Sequence, residues 1–322
     1  MAKSIRILVL ERFSDEHLAR IREAAGPDGA VTHVTDATDA EAQVEALRGA
    51  DVVVGEPRPE ALRQAPSVRW VQMCWAGTDL YTRQSGTFPA GVRLTNVAGA
   101  AYGHIISQFV LGQILALAQN LPTYVRQEAQ ELWRWGGPVM TLDGARVLVF
   151  GAGDLGSSTA RRLAGFDVTC VGVCRDTARP RAGFDRLVTL DEAEGELAAA
   201  DVIVGCLPSS DETDGYLDER RLRTIKEGAI LVNVGRGRFV DCDALARVLA
   251  GERLRGAALD VTSPEPLPKG HPLWAEPRCI ISPHVAGRAF GSCPATEQII
   301  CDIVCENLRR WVAGEPLAHV VL

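Results

Sequence analysis

The sequence predicts an α/β protein of two domains, each built on a doubly wound parallel sheet. Short apolar runs of β type recur along the chain, and helix-length segments separate most of them. These runs form two series with a long apolar segment between them, and such strand–helix alternation is typical of parallel sheets covered by helices. The length of 322 residues also exceeds one average domain, so two domains are expected.

The first series predicts a small parallel domain of five strands. The amphipathic segment Asp15–Ala25 predicts a helix that ends at the break Gly26-Pro27, and Glu41–Leu47 predicts a shorter helix. The predicted strands are Ile5–Leu10, Ala30–Val34, Asp51–Val54, Val68–Met73 and Val92–Thr95.

A single buried helix is predicted to connect the two series. The segment Ala98–Leu121 is mostly apolar and contains no proline until Pro122. A helix that is apolar on most faces must be covered on most faces, as it would be between two domains or two subunits. A second long helix, Ala295–Val312, follows the last strand and is predicted to return to the first domain.

The second series predicts a larger sheet of seven strands. Helical segments lie between most of them, which indicates a doubly wound sheet. The predicted strands are Arg146–Phe150, Val168–Cys174, Leu187–Leu190, Asp201–Leu207, Ala229–Val234, Ala257–Val261 and Cys279–Ile281.

The composition argues against several classes of partner and location. The net charge is −7 and no block of basic residues occurs, so nucleic acid and anionic membranes are not expected partners. No apolar run approaches the ~18 residues that span a bilayer. The start MAKSIRILVL lacks the small-residue cleavage site of a signal peptide, which favours a cytoplasmic location.

The cysteines indicate buried, reduced thiols rather than disulfides or a metal site. There are nine, an odd number, and no CxxC pair occurs. The closest pairs, Cys170/Cys174 and Cys301/Cys305, have no companion at the spacing of metal ligands, so no metal is expected.

A glycine-rich turn opens the second series. The strand before Gly151 runs into Gly151-Ala152-Gly153-Asp154-Leu155-Gly156, and a helix follows. In a dinucleotide-binding unit the first glycine makes the turn and the second lets the backbone approach a pyrophosphate. The third, here Gly156, lets the helix pack on the strand. The alternative is a tight turn that binds no ligand.

The residues after the next strand indicate which dinucleotide is bound. An acidic residue there binds the ribose 2′-hydroxyl of NAD, but Cys174 occupies that place. Arg175 follows, and its guanidinium suits a 2′-phosphate, so NADP(H) is favoured. Asp176 could still bind a ribose hydroxyl, so NAD(H) is the alternative cofactor. A further alternative is that Arg175, Arg179 and Arg181 form a solvated charged surface that binds no cofactor.

Three polar residues follow three consecutive predicted strands. Arg236 lies between two glycines, whose small size would let the guanidinium reach a carboxylate and polarise a carbonyl. Glu265 lies between Pro264 and Pro266, and His284 is a natural proton donor near neutral pH. The carboxyl ends of parallel strands meet at one edge, so these side chains are expected together. The alternatives are a turn arginine, a loop glutamate and a structural histidine.

The sequence resembles the D-isomer-specific 2-hydroxyacid dehydrogenase family, close to glyoxylate/hydroxypyruvate reductases. The resemblance extends over nearly the whole chain, with its motifs in the right order. They are Trp75–Asp79, Gly151–Gly156, Val232–Gly237, Leu259–Pro268 and Ser282–His284.

The resemblance implies a Rossmann-type cofactor domain at 98–288, inserted into a flavodoxin-like substrate domain formed by 1–97 and 289–322. It implies that Arg236 and the backbone amides of Ala76 and Gly77 bind the carboxylate of a 2-oxo acid. His284 would be the general acid, supported by Glu265. The cofactor site would contain Gly151, Gly153, Asp154, Leu155, Gly156, Arg175, Pro208, Thr213, Val234, Gly235, Asp260, His284 and Gly287.

The resulting hypothesis is an NAD(P)-dependent reduction of a 2-oxo acid to a D-2-hydroxy acid. Glyoxylate and hydroxypyruvate are the first substrates to test, and the family implies a homodimer through the connecting helix. Two alternatives stay open. One is a nucleotide-sensing, corepressor-like binding protein, which needs no catalytic triplet; the other is a dehydrogenase of phosphite or formate.

Overall fold

The computed structural model describes residues 4–83 and 88–322. Two compact units divide the chain. The first contains the described residues up to Tyr102 together with Arg288–Leu322, and the second contains Gly103–Gly287. The functional roles of the two segments, substrate domain and cofactor domain, stay predictions at this point.

The first unit is built on a parallel sheet of five strands in the order β2-β1-β3-β4-β5. The order reverses between β1 and β3, and ligands of such sheets bind at the carboxyl ends of the strands near this reversal. The strands are β1 (Ile5–Val9), β2 (Gly29–His33), β3 (Val52–Val54), β4 (Trp70–Gln72) and β5 (Arg93–Thr95). The helices are α1 (Asp15–Ala24), α2 (Ala40–Leu47), α3 (Pro59–Leu62), α4 (Asp79–Thr82) and the C-terminal α11 (Pro294–Ala313).

Helix α11 completes the first unit by packing on α1. Ser14 caps α1 by accepting a hydrogen bond from the amide of His17, and the acidic Asp15 and Glu16 follow in its first turn. The ring nitrogen Nδ1 of His17 lies 2.9 Å from the carboxylate of Glu297 in α11, in a buried contact. The last helix of the chain is thereby held to the first.

The second unit is built on a parallel sheet of seven strands in the order β12-β11-β10-β9-β6-β7-β8. The order reverses between β6 and β9, as in a dinucleotide-binding fold. The strands are β6 (Arg146–Phe150), β7 (Thr169–Val173), β8 (Arg186–Val188), β9 (Val202–Gly205), β10 (Ile230–Asn233), β11 (Gly256–Leu259) and β12 (Cys279–Ile281). The helices are α5 (Gly103–Ala118), α6 (Leu121–Glu128), α7 (Asp154–Leu163), α8 (Leu190–Leu197), α9 (Glu219–Thr224) and α10 (Cys242–Ala250).

The predicted fold class is confirmed, since both series form parallel sheets with the predicted five and seven strands. Most strands are shorter than predicted, because the apolar runs continue past the last ladder hydrogen bond. All nine cysteines are free. Within residues 4–83 and 88–322, no group of three His, Cys, Asp or Glu side chains is placed to hold a metal ion.

The predicted connecting helix over Ala98–Leu121 is wrong at both ends. Helix α5 begins only at Gly103, and it ends before Asn120, whose left-handed backbone has a φ of 57°. Helix α6 then starts with Pro122 in its first turn, where proline needs no donor, so Pro122 is not the end of the helical region. No single helix among the described residues is long and apolar enough to cross a membrane. Only α5 and α6 together reach that length and composition, across a bend of 71°.

Candidate active site

The glycine-rich turn after β6 has the geometry that the sequence predicts. Gly151 has a φ of +107°, a conformation that favours glycine. A Cβ at Gly156 would lie 1.9 Å from the carbonyl oxygen of Gly151, so a side chain there would push α7 off the turn. Only glycine at this position allows the helix to start so close to the strand.

The N-terminus of α7 offers unpaired amides to an anion. Among the described residues, the amides of Gly153, Asp154 and Leu155 donate to no acceptor, and no side chain caps the helix. A Cβ built on Gly153 would meet no atom within 4 Å, so the protein itself does not require glycine there. The carboxylate of Asp154 accepts the amide of Gly103 at 2.9 Å. These groups fit the pyrophosphate of a dinucleotide.

The loop after β7 leaves an arginine exposed. The thiol of Cys174 donates to the carbonyl of Asp176 at 3.2 Å, and the carboxylate of Asp176 accepts the amide of Ala178 at 3.1 Å. The same carboxylate lies 3.5 Å from the guanidinium of Arg179. The acidic side chain is thus held within its own loop, whereas Arg175 is exposed. This arrangement fits a 2′-phosphate better than a ribose 2′-hydroxyl.

The loop after β9 is closed by Thr213. Its buried hydroxyl donates to the carbonyl of Pro208 at 2.8 Å and accepts the amide of Ser210 at 2.9 Å. The hydroxyl is therefore already used within the loop. Its predicted role in a cofactor site stays a prediction, and it would act through the shape of that loop.

The glycines on either side of Arg236 have a different role from the one the sequence suggested. A Cβ at Gly235 would lie 2.7 Å from the carbonyl oxygen of Leu207, and one at Gly237 would lie 1.8 Å from that of Thr262. Both glycines allow the loop after β10 to pack between its neighbours. Arg236 is half-buried, and its Nη1 donates to the carbonyl of Gly235 at 2.8 Å.

Asn233 fixes the same loop from its strand end. Its side-chain amide donates to the carbonyl of Arg236 at 3.0 Å, and its carbonyl oxygen accepts the amide of Gly235 at 3.2 Å. The amide of Val234 donates to the carbonyl of Gly205 in β9 at 3.0 Å. The backbone that carries Arg236 is therefore held from both sides.

His284 and Glu265 form a hydrogen-bonded pair. Nδ1 of the imidazole lies 2.7 Å from Oε1 of the carboxylate. The carboxylate can only accept from the ring when ionised, so Nδ1 carries the proton and Nε2 is left for a reacting group. The side chain of His284 is 51% exposed, and its backbone has a φ of +54°, which is uncommon for a residue other than glycine.

Asp260, predicted as a cofactor residue, also anchors the loop of His284. Its buried carboxylate accepts the hydroxyl of Ser282 at 2.6 Å and the amides of Val285 and Ala286 at 2.9 Å each. Its carbonyl accepts the amide of His284 at 2.8 Å. Sequence reasoning missed this role, although a buried acid one strand away from the loop is a signal for it. Gly287, which ends the second unit, follows directly after these amides.

The loop after β4 lies in the first unit and carries Ala76 and Gly77. Among the described residues, neither backbone amide donates a hydrogen bond. Asn96 at the end of β5 supports the loop, since its side-chain amide donates to the carbonyl of Ala76 at 2.9 Å. Two adjacent unpaired amides are suitable donors for a carboxylate. The binding role of both residues stays a prediction.

The structure thus gathers Arg236, Glu265 and His284 at the carboxyl ends of three neighbouring strands, β10, β11 and β12. The same edge of the second sheet carries the glycine turn after β6 and the loop of Thr213 after β9. A half-buried cation, an imidazole with its carboxylate and a row of free amides suit the transfer of a hydride and a proton at a carbonyl.

Comparison with known proteins identifies relatives that match most of the chain. The profile of the NAD binding domain of the D-isomer specific 2-hydroxyacid dehydrogenases matches residues 111–286. The glyoxylate/hydroxypyruvate reductase A of Serratia proteamaculans is 30% identical over 296 residues, which cover 87% of this chain and 90% of the relative.

Solved structures show the same fold. A D-isomer specific 2-hydroxyacid dehydrogenase family protein from Aeromonas salmonicida is 31% identical, with a TM-score of 0.85 over 99% of both chains. A D-isomer specific 2-hydroxyacid dehydrogenase from Xanthobacter autotrophicus, in complex with NADPH and MES, is 27% identical. Its TM-score is 0.80, over 100% of this chain and 98% of that one.

Proposed function

The chain belongs to the D-isomer specific 2-hydroxyacid dehydrogenase family, and we propose that it reduces glyoxylate or hydroxypyruvate with NADPH as the hydride donor. The enzyme is an oxidoreductase that converts a 2-oxo acid to a D-2-hydroxy acid with a nicotinamide cofactor. The observation that carries the proposal is the pair of His284 and Glu265, 2.7 Å apart, in the loops after β12 and β11, at the same sheet edge as the loop of Arg236 after β10. The relative from Serratia supports the choice of substrate.

In the proposed mechanism, the residues of this chain orient the substrate and move one proton. Arg236 binds the carboxylate with its planar guanidinium and stabilises the negative charge that develops on the carbonyl oxygen. His284 donates the proton of Nε2 to that oxygen, and Glu265 stabilises the charged imidazole through Nδ1. The amides of Ala76 and Gly77 are also proposed to donate to the carboxylate. When bound, the cofactor supplies the hydride.

The test is a steady-state assay of NADPH and NADH oxidation with a panel of 2-oxo acids. We expect turnover of glyoxylate and hydroxypyruvate, faster with NADPH. If the protein binds NADPH but oxidises it with none of the 2-oxo acids, the nucleotide-sensing alternative is favoured instead. Reduction of NADP⁺ by formate or phosphite, without activity on 2-oxo acids, would favour the other alternative.

Replacing Arg175 by alanine is expected to weaken the preference for NADPH. The exposed guanidinium is proposed to pair with the 2′-phosphate, and a hydrogen bond to a charged group contributes about 1.5–3 kcal/mol, or roughly 10- to 150-fold in affinity. The measurement is the ratio of kcat/KM for NADPH and NADH. Arg179→Ala is the matched control, because Arg179 already faces Asp176. An equal effect of both variants would contradict a specific role for Arg175.

We further propose that the protein forms a homodimer through an arm made of residues 121–139. The arm consists of α6 and the segment that follows it, and its ends are pinned because Asn120 donates to the carbonyls of Gly137 and Pro138 at 3.1 and 3.0 Å. Helix α5, to which the family expectation pointed, packs its most buried face on α7, β10 and β11 of the same unit. The arm is therefore the better surface.

The arm exposes large apolar side chains, which are unfavourable in contact with water. Trp133 is fully exposed and Trp135 is 74% exposed, and a cavity of about 870 Å³ opens between α6 and these residues. One surface thus carries both a projecting aromatic side chain and a cavity able to receive one. That is the requirement for a two-fold symmetric contact between copies. Other exposed apolar side chains of the arm are Leu121, Tyr124, Val125, Leu132 and Val139.

Replacing Trp133 by glutamate is expected to convert the dimer to a monomer at micromolar concentration. A charge buried at the centre of an apolar contact costs several kcal/mol unless it is paired, and central aromatic residues often contribute 2 kcal/mol or more. Light scattering after size exclusion measures the mass. Val312→Glu, at an exposed apolar position outside the arm, should leave the mass unchanged. A dimeric Trp133 variant, or a monomeric native protein, would contradict the proposed dimer.

We also propose that the protein is cytoplasmic. The nine cysteines, all free, support this location, because reduced thiols are typical of the cytoplasm.

A further inference from the structure

Trp75 occupies a fixed position directly before the two amides proposed to bind the substrate carboxylate. Its ring stacks on Tyr102 with the centroids 6.0 Å apart and the planes at 12°. The edge-to-face contact with Phe290 has a centroid distance of 5.8 Å and an angle of 73°. Phe290 in turn makes an edge-to-face contact with Phe13 at 5.0 Å. Aromatic contacts of this kind contribute about 0.5–1.5 kcal/mol each beyond burial, so the ring is held from several sides.

A carboxylate holds the polar end of the same ring. Glu11, which follows the end of β1, accepts a hydrogen bond from the indole of Trp75. Burial raises the pKa of Glu11; that hydrogen bond lowers it, and the nearby Glu56 raises it further. Glu56 follows the end of β3, and a Cβ on Gly55 would lie 3.5 Å from Cγ of Glu11. Two acidic side chains therefore lie close to each other, one of them on the indole nitrogen, where the order of the first sheet reverses.

We propose that Trp75 is a specificity-determining residue that restricts the substrate to 2-oxo acids with a short, uncharged substituent. This inference rests on the proposed function, because it assumes that the amides of Ala76 and Gly77 bind the carboxylate. Consecutive Cα atoms are about 3.8 Å apart, so a carboxylate bound there lies within about 8 Å of the Cα of Trp75. The substituent of the 2-oxo acid begins only two bonds beyond that carboxylate.

The fixed ring limits the size of that substituent. A flexible side chain would move aside for a larger group, but Trp75 has Tyr102 on one face, Phe290 at its edge and Glu11 on its nitrogen. Moving it would break all three contacts. A hydrogen atom or a hydroxymethyl group needs no such movement, whereas a branched or aromatic substituent does.

The acidic side chains limit the charge of that substituent. A second carboxylate on the substrate would approach Glu11 and Glu56 in a partly buried region, where like charges at short range are unfavourable. Monocarboxylic 2-oxo acids do not meet this repulsion. Size and charge together select small monocarboxylic 2-oxo acids.

The size limit is tested with Trp75→Leu, using glyoxylate and 4-methyl-2-oxopentanoate as substrates. We expect the ratio of kcat/KM for the larger to the smaller acid to rise about tenfold or more, since one methylene group in a pocket changes discrimination by roughly 10- to 200-fold. Trp311→Leu is the matched control, because Trp311 is a tryptophan of the same unit that also stacks on an aromatic ring, that of Trp70, at 5.4 Å. Its ratio should not change. If the leucine variant does not fold, Trp75→Phe keeps the stack on Tyr102 and should raise the ratio by a smaller factor.

The charge limit is tested with Glu11→Gln, which keeps an acceptor for the indole. Oxaloacetate and 4-methyl-2-oxopentanoate have substituents with the same number and branching of heavy atoms and differ in charge. We expect the native enzyme to prefer 4-methyl-2-oxopentanoate, and the variant to reduce that preference about tenfold. Glu23→Gln removes the same charge from an exposed position on α1 and should have no effect.

The outcomes separate this inference from the proposed function. If the native enzyme turns over glyoxylate but neither Trp75 variant changes the size ratio, the specificity role of Trp75 is wrong and the function stands. An unchanged charge preference in Glu11→Gln overturns the role of the acidic pair in the same way. If the native enzyme turns over no 2-oxo acid, the proposed function itself fails.

Discussion

Alanine in place of His284 is expected to lower kcat by about 10²- to 10⁴-fold, while the dissociation constant for NADPH stays nearly unchanged. The reason is that Nε2 is the one ring atom of the imidazole left for a proton transfer, because Nδ1 faces Glu265 at 2.7 Å. The residue is half-exposed at a strand end, so its removal leaves no buried cavity. The measurements are steady-state turnover with glyoxylate and a fluorescence titration with NADPH.

A second histidine–carboxylate pair in the same unit provides the control. Nε2 of His271 lies 3.1 Å from Asp243, and His271 has no part in the proposed proton transfer, so His271→Ala should leave kcat unchanged. Glu265→Gln is expected to have an intermediate effect, since the amide can still accept the hydrogen bond but does not stabilise a charged imidazole. Turnover that survives in His284→Ala would remove this residue from the proton transfer.

Replacing either of two glycines in the turn after β6 by alanine is expected to weaken NADPH binding, for a different reason at each position. At Gly156 the added methyl group would lie 1.9 Å from the carbonyl oxygen of Gly151, so α7 must move away from the strand. Forced overpacking of this kind costs about 1–3 kcal/mol, and occasionally more, so a lower thermal midpoint and a loss of NADPH binding are both expected. At Gly153 a methyl group meets no protein atom within 4 Å, so stability is retained and only NADPH binding weakens.

Thermal unfolding with and without NADPH distinguishes the two variants. Gly153→Ala should have the native midpoint in the absence of the cofactor but lose most of the stabilisation that NADPH provides, because a ligand stabilises only the state that binds it. If Gly153→Ala binds NADPH as tightly as the native enzyme, the pyrophosphate does not approach this residue. If Gly156→Ala keeps its native midpoint, the close contact with Gly151 is not maintained in solution.

The sheets, and the placement of Arg236, Glu265 and His284 at one sheet edge, were predictable because both depend on local patterns. Apolar runs in the sequence indicate buried parallel strands, and residues that follow three neighbouring parallel strands must lie at the same edge of the sheet. The ends of the connecting helix could not be predicted. The helix is interrupted by the left-handed backbone of one residue, Asn120, and the apolar pattern around it does not change there. Proline at 122 then marks the start of a helix as readily as an end.

Contacts between distant segments account for what sequence reasoning missed. The glycines beside Arg236 are explained by carbonyl groups of Leu207 and Thr262, which only the packed loops bring near. The anchoring of the His284 loop by Asp260 depends on three bonds across 22 to 26 positions of the chain. The fixed position of Trp75 requires Phe290, which the chain reaches only after the whole second unit.

The interrupted first unit has a consequence for the order in which the protein is made. Its strands are synthesised before Tyr102, but α11, which covers α1, follows only after Gly287. At about 5–20 residues per second, the ribosome needs roughly 10–40 s to produce the intervening segment. During that time α11 has not yet been made, so the apolar side chains that it covers stay open to chaperones and to aggregation. Nascent chains stopped after Gly287 should therefore bind chaperones more strongly than complete ones.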